Sequence, residues 1–197
     1  MPERYACAPR YNIARGQSAP AIVGGVERTL RWGLLAPWRG HGGKRGPMIY
    51  EAPEDAIAST PLLRNAKRCL IPADGFFEWQ KLADGKQPWL LRMANAEPFA
   101  LAGLWSRWKD RESGVELDSC TIVTTAANEL VAPLHDRMPV IVPREAYALW
   151  LDPEVVERER LDPLLVPYSA DAREAYRVSR LVNSPANDDP ACLEPAA

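Results

Sequence analysis

The sequence predicts a single β-rich α+β domain with a few short helices. Its 197 residues, 47% of them hydrophobic, suffice for one buried core. Nineteen prolines spread along the chain divide it into short segments, which disfavours a helical bundle. Many of these segments mix β-branched and aromatic residues between turn formers, a pattern typical of strands. No linker composition marks a boundary, so we treat residues 1–197 as one domain with an irregular tail from about residue 185.

This pattern predicts nine strands: Ala21–Val23, Thr29–Leu35, Cys69–Ile71, Gly75–Gln80, Trp89–Met93, Phe99–Trp108, Leu117–Thr125, Met138–Val142 and Tyr176–Val182. Two helices are predicted. Pro143–Leu151 has proline at its first position and apolar residues at helical spacing, and Pro153–Leu161 follows it. The glycine-rich run Gly40–Gly46 is expected to be a surface loop, and the tail from Pro185 is expected to fray.

Composition excludes several classes of protein. No stretch reaches the roughly 18 to 20 apolar residues that a membrane helix needs, and the first residues do not resemble a signal peptide. The four cysteines (Cys7, Cys69, Cys120 and Cys192) lie far apart without a Cys-x-x-Cys pair. This spacing argues against a zinc site or a disulfide framework and fits a reducing cytoplasm. We therefore expect a cytoplasmic monomer that holds no metal and no cofactor.

The charge is distributed unevenly along the chain. The net charge is −2, yet residues 1–50 carry eight Lys and Arg against only Glu3 and Glu27. A basic N-terminal quarter could place a positive surface against phosphate groups. Alternatively, these arginines are scattered and solvated, and charge alone favours this second interpretation.

Glu78 is the first candidate for chemistry. It lies between two aromatic residues in the segment Pro72–Trp79, where Asp74-Gly75 predicts a turn. On an alternating strand, Phe77 and Trp79 share one face and Phe76 and Glu78 the other. A carboxylate among aromatic side chains loses solvation, which raises its pKa and suits it to proton transfer. The alternative is an exposed glutamate on an edge strand, and the residues alone do not decide.

His135 is the second candidate, because it lies just before a predicted strand, with Asp136 and Arg137 adjacent to it. Histidine can act as an acid, a base or a hydrogen-bond donor near neutral pH, and the adjacent arginine could hold a phosphate. A structural histidine capping a turn is the more common alternative.

Two tryptophans, Trp32 and Trp38, flank a proline-containing turn with arginines just outside it. Exposed aromatic rings beside arginines provide stacking surfaces for unpaired bases. Both rings could equally be part of the core, because most of the seven tryptophans of one domain must be buried.

Taken together, these segments resemble the SRAP family, the SOS response-associated peptidases or abasic-site processing proteins. Each motif alone is weak, but their collinear order over nearly the whole chain is highly specific. The matching segments are Pro9–Ala14, Arg31–Leu34 with Pro37-Trp38, Arg68–Trp79, Phe99–Trp105, Thr121–Thr125, His135–Val140 and Val178–Asn183 with Asn187–Pro190.

The resemblance implies a compact β-rich fold with a positively charged cleft for single-stranded DNA that contains abasic sites. In the family, an N-terminal cysteine forms a thiazolidine cross-link with the sugar aldehyde, assisted by a glutamate and a histidine that match Glu78 and His135. We expect DNA contacts from Asn12, stacking from Trp32 or Trp38, and phosphate contacts from Arg68 and Arg137. A cytoplasmic protein of this kind associates with the nucleoid when it is bound to DNA.

Two departures from the family pattern bear on activity. Family members begin with Met-Cys-Gly-Arg, whereas this chain begins Met1-Pro2, so we expect the usual nucleophile to be missing. Cys7 is better explained as a small hydrophobic residue. Tyr50 and Ala52 stand where the family has a sugar-holding asparagine and a phosphate-holding arginine.

These departures leave three hypotheses open. The first is action on abasic sites, for which removal of Met1 would expose the secondary amine of Pro2 as a nucleophile able to form an iminium with an aldehyde. The second is a degenerate relative that binds single-stranded DNA without catalysis. The third is proteolysis, which ranks lower because no serine or cysteine is paired with His135 in the sequence.

Overall fold

The computed structural model describes residues 8–36, 48–110 and 113–196. Strands predominate in these ranges, and the fold is the predicted β-rich α+β class with short helices. The eleven strands are β1 (Ser18–Val23), β2 (Val26–Trp32), β3 (Glu51–Pro53), β4 (Lys67–Ala73), β5 (Gly75–Leu82), β6 (Gly85–Met93), β7 (Phe99–Lys109), β8 (Glu116–Ala126), β9 (Arg137–Pro139), β10 (Ile141–Val142) and β11 (Arg173–Arg177).

The strands form a large and a small sheet. The large sheet has the order β10-β7-β4-β1-β2-β8-β3, with β9 added to β8. Because β7 also pairs with β8, the strands β7, β4, β1, β2 and β8 close into a barrel. Only β2 and β3 run parallel to β8; the other described pairings are antiparallel. The small sheet has the order β11-β6-β5, which leaves β5 at its edge.

Both faces of the large sheet are buried along most of β4 and β7. Leu70 and Ala102 belong to the apolar cluster that also contains Trp150, whereas their neighbours Cys69 and Leu101 belong to a second cluster. This double burial explains why β4 and β7 are apolar nearly throughout rather than alternating. β4 and β7 approach so closely that a Cβ at Gly103 would lie 2.7 Å from the Cys69 Sγ.

Most of the predicted strands are confirmed, with differences at the ends. The predicted strand Met138–Val142 is divided between β9 and β10, which pair with different neighbours. The predicted strand Tyr176–Val182 is wrong beyond Arg177, because the Ser179 hydroxyl accepts the Leu181 N–H and starts a 3₁₀ turn at Arg180–Asn183. β3 was not predicted, since it has three residues and ends in a proline.

The helices are short: α1 (Ala56–Ser59), α2 (Pro61–Asn65), α3 (Tyr147–Leu151) and α4 (Arg158–Leu161). A 3₁₀ turn at Arg144–Ala146 leads directly into α3, which agrees with the first predicted helix. Of the second predicted helix, Pro153–Leu161, only the last four residues are α-helical, as α4. Neither α1 nor α2 was predicted, because four or five residues are too few for a helical period to show.

The C-terminal tail is irregular, as predicted, but the expectation that it frays is wrong. The Asp188 carboxylate accepts the backbone N–H groups of Tyr11 and Asn12 at 2.6 and 2.9 Å. A 3₁₀ turn at Pro190–Leu193 buries Cys192 completely. The tail is therefore part of the folded domain. None of the helices in the described ranges has the length and apolar character to cross a membrane.

Candidate functional site

A cleft of about 2010 Å³ lies between the N-terminal segment, β5 and the loop before β9. Its charged lining is mostly basic although the whole chain is acidic. Among the described lining residues the cations are Arg10, Arg15, Lys81, Lys86, Arg92, Arg137 and Arg144, and the carboxylates are Glu51, Asp74, Glu78 and Asp136. No cluster of His, Cys, Asp and Glu suited to a metal ion occurs within the described ranges.

Glu78 lies in the middle of the edge strand β5, half-buried in the cleft. Cross-strand pairing places it opposite Trp89 of β6. The predicted alternation is observed, because Phe77 packs in a different apolar cluster from Phe76. Glu78 is thus on an edge strand, as the simpler interpretation held, but it is shielded from solvent.

Burial raises the pKa of Glu78 to about 7. His135, when protonated, opposes this rise in the pKa of Glu78. The carboxylate of Glu51 adds to the rise, and the guanidinium of Arg15 opposes it. The backbone N–H of Trp79 also stabilises the charged form. A carboxyl group with this pKa is partly protonated at neutral pH and can both donate and accept a proton.

His135 lines the same cleft at the end of a structured turn. The Asn128 side chain accepts the N–H groups of Leu130 and Val131, and the His135 N–H donates to the Val131 carbonyl. The His135 Nδ1 lies 3.0 Å from the Arg137 backbone nitrogen and 3.1 Å from an Asp136 carboxylate oxygen. The Arg137 carbonyl oxygen also lies 3.1 Å from Nδ1, so this nitrogen faces one donor and two acceptors.

Arg137 borders the cleft, but its side chain is already engaged. The guanidinium forms an ion pair with Glu54 and donates to the Thr124 hydroxyl at 3.1 Å and the Thr124 carbonyl at 2.7 Å. These contacts hold Arg137 against β8 with 30% of its side chain exposed. The prediction that it contacts phosphate remains a prediction.

Trp32 lines the cleft and also packs, partly buried, against the apolar cluster that contains Cys69 and Leu101. Its indole N–H donates to the Tyr50 carbonyl at 2.8 Å, which fixes the ring orientation. The core interpretation of this tryptophan therefore holds in part, and stacking on bases remains a prediction. Trp38 lies outside the described residues, as do Pro2, Cys7 and the Gly40–Gly46 run.

Two residues predicted to contact DNA have other roles in the structure. The Asn12 side chain is buried, and its NH₂ group donates to the carbonyls of Val182, Ser184 and Asn187 at 3.0 to 3.1 Å. Since this group has no free donor, Asn12 joins the N-terminal segment to the C-terminal segment. Asn12 is also among the residues that line the cleft, although its NH₂ group bonds to the C-terminal segment.

Arg68 is the second of these residues; it is not among the described residues that line the cleft, and its phosphate contact remains a prediction. Its guanidinium donates to the carbonyls of Trp150, Asp152 and Val155, with distances of 2.6 Å to Trp150 and 2.8 Å to Val155. These carbonyls are at and just beyond the end of α3, where a helix leaves its acceptors without intrahelical partners. Arg68 therefore fixes α3 to β4.

Two charged residues that the sequence interpretation did not single out, Arg15 and Glu51, lie beside the positions that depart from the family pattern. Ala52 is completely buried, whereas Tyr50 is packed beside Gly33, whose φ of +135° and 2.9 Å Cβ approach to the Tyr50 ring exclude a side chain. The guanidinium of Arg15 lies over the Tyr50 ring, 5.6 Å from its centre, and forms an ion pair with Glu51. The signal available in the sequence was that Glu51 stands between Tyr50 and Ala52, the two positions that depart from the family pattern.

Comparisons with known proteins agree with this arrangement. The abasic site processing protein YoqW of Bacillus subtilis (strain 168) is 42% identical over 194 residues, covering 94% of this chain and 86% of its own. The abasic site processing protein HMCES of Gallus gallus is 32% identical over 226 residues, covering 95% and 66%. A crystal structure of a protein from Bacteroides thetaiotaomicron superimposes with a TM-score of 0.81 at 26% identity, covering 92% and 82%.

The family model of the SOS response associated peptidase (SRAP) matches residues 2–185, which is nearly the whole chain. This match spans the barrel, the edge strand with Glu78 and the turn with His135. The resemblance drawn from the collinear motifs is confirmed, and the chain belongs to the SRAP family.

Proposed function

We propose that this chain binds single-stranded DNA in the cleft and processes abasic sites in that strand. The observation that carries the proposal is a glutamate, Glu78, whose pKa is raised to about 7 in a cleft whose charged lining is mostly basic. The relatives YoqW and HMCES are named for abasic site processing, which supports the same assignment. Cations along the cleft favour a polyanion, and half-buried aromatic rings such as Trp32 favour unpaired bases.

Glu78 and His135 supply the proton transfers that this chemistry requires. The ring-opened abasic sugar carries an aldehyde, and attack by an amine forms a carbinolamine that loses water to become an iminium. Protonated Glu78 donates to the departing hydroxyl, and its carboxylate or the neutral His135 removes a proton from the carbon next to the iminium. Loss of that proton expels the 3′ phosphate and cleaves the strand. The candidate nucleophile is the amine of Pro2 once Met1 has been removed.

Borohydride trapping with an abasic oligonucleotide tests the covalent step. We expect a stable protein–DNA adduct, because reduction converts the iminium into an amine that cannot hydrolyse. The variant Glu78→Gln keeps the shape but cannot exchange a proton, so its rate of adduct formation should fall about a hundredfold or more. Glu154→Gln, an exposed substitution away from the cleft lining, is the matched control.

The trapping experiment also separates the proposal from the non-catalytic alternative. If the protein binds the abasic strand but no adduct is trapped, it is a DNA-binding relative without covalent chemistry. A peptidase is less well supported, because no described serine or cysteine is hydrogen-bonded to His135, and Cys69, Cys120 and Cys192 are buried. Cleavage of a fluorogenic peptide library that depends on His135 would favour the peptidase instead.

A further inference from the structure

Two ion pairs at the cleft differ in how firmly their arginines are held. The Arg137 guanidinium has three contacts, to Glu54 and to both oxygens of Thr124, and only 30% of its side chain is exposed. Arg15 bonds only Glu51 among its described partners, with 58% of the Arg15 side chain and 43% of the Glu51 side chain exposed. Arg15 is thus the more easily exchanged of the two cations.

The position of the Arg15–Glu51 pair is suited to a DNA strand. Both residues line the cleft, and both are close enough to Glu78 to act on its charge. The stacking of Arg15 on the Tyr50 ring holds the guanidinium over the cleft wall without using any of its N–H donors. An arginine arranged in this way can present two parallel donors to the oxygens of a phosphate.

We propose that Arg15 binds a backbone phosphate of the strand in the cleft, and that Glu51 holds Arg15 in place until the phosphate displaces its carboxylate. The inference rests on the proposed DNA binding. In the free protein Glu51 satisfies the guanidinium. When a strand enters, the phosphate takes over these hydrogen bonds while the stacking on Tyr50 is retained. Glu51 then faces a second anion, which opposes tight binding and favours release.

This exchange links binding to the protonation of Glu78. Arg15 lowers the pKa of Glu78 and Glu51 raises it, and His135 is the other charged side chain that acts on this carboxyl. A phosphate placed beside Arg15 adds negative charge near Glu78, which favours its protonated form. The strand that brings the abasic site therefore also favours the acid form of the residue that must donate a proton to it.

A double-mutant cycle tests the inference by comparing the DNA affinities of Arg15→Ala, Glu51→Gln and the double variant with that of the wild type. Fluorescence anisotropy with a labelled abasic single strand would give Kd at several salt concentrations. Arg15→Ala should weaken binding several-fold and lower the slope of log Kd against log salt by about 0.7, the value for one phosphate contact in a single strand. Glu51→Gln should tighten binding by about two- to fivefold, because a solvent-exposed ion pair no longer competes.

The double variant distinguishes exchange from simple repulsion. If Glu51 acts by holding Arg15, the gain from Glu51→Gln should largely disappear when Arg15 is alanine. An equal gain in both backgrounds, or an unchanged salt slope in Arg15→Ala, overturns the inference. The matched controls are Arg64→Ala and Glu154→Gln, both exposed and absent from the cleft lining, and thermal unfolding verifies that each variant is folded.

The same experiments separate this inference from the proposed function. Wild-type protein that binds single strands, shows the Arg15–Glu51 coupling, but yields no trapped adduct supports the inference and overturns the covalent function. A wild-type protein that does not bind single-stranded DNA overturns both.

Discussion

At the scale of the residue, the raised pKa that suits Glu78 to proton transfer also lowers the stability of the folded protein at neutral pH. Its pKa is about 7 in the folded protein against an ordinary value of 4.5, so the folded state retains a proton that the unfolded state has lost. The contribution of Glu78 to the free energy of unfolding is therefore largest below about pH 4.5, and it decreases as the pH rises towards 7. The difference in pKa corresponds to about 3 kcal/mol.

The variant Glu78→Gln should remove this dependence. We expect it to be more stable than the wild type by up to about 3 kcal/mol at pH 8 and nearly equal to it at pH 4, because glutamine cannot ionise. Urea unfolding at pH 4, 6 and 8 measures the difference, with Glu154→Gln as control. A variant that is less stable at pH 8 would show that the Glu78 charge makes stabilising contacts in the folded protein.

At the scale of the element, the sequence predicted features that depend on neighbouring residues, but it did not predict contacts between distant segments. The alternation around Glu78 predicted which residues share a face of β5, because a strand has a period of two. The contacts of Arg68 with α3 were not predicted, because a sequence motif does not reveal that the end of α3 packs beside β4. The Arg15–Glu51 pair was missed for the same reason, since it joins the start of the chain to β3.

Arg68→Ala should therefore destabilise the protein without affecting DNA binding. Three carbonyls at the end of α3 lose their donor, and we expect a decrease of about 2 to 4 kcal/mol in the free energy of unfolding. Arg68→Lys should be intermediate because an ammonium cannot reach all three acceptors in the same geometry. Urea unfolding and anisotropy are the two measurements. A large loss of affinity in a folded Arg68→Ala protein would contradict this expectation and support the sequence prediction that Arg68 contacts DNA.

At the scale of the whole molecule, the fold class and most strands were predictable, but the closure of the domain was not. The composition of the tail indicated fraying, whereas hydrogen bonds from Asn12 and to Asp188 attach it to the N-terminal segment. These contacts span more than 160 residues, and no local pattern in the tail reveals them. The barrel closure through β7 and β8 is similarly invisible in the sequence, because it depends on pairing rather than on composition.

The variant Asn12→Ala tests this attachment. It leaves three carbonyls of the C-terminal segment without their amide donor, and we expect a loss of about 2 to 4 kcal/mol in unfolding free energy. Limited proteolysis should then cut near Val182–Asn187 earlier than in the wild type. DNA binding should weaken as well, because the wall of the cleft is no longer fixed. Wild-type stability together with wild-type resistance to protease would contradict the structural role of Asn12.

The attachment of residues 11 and 12 to residues 182–188 also has a consequence for synthesis on the ribosome. A chain emerges from its N-terminus, so the segment Tyr11-Asn12 is made first and must wait for its partner Asp188. Until that partner leaves the exit tunnel, one wall of the cleft has no support. A nascent chain that has not yet released residues 182–188 from the tunnel should therefore be unable to capture DNA, even when its barrel strands are complete. Competence would appear only after that segment emerges, as a late step governed by contacts that span more than 160 residues.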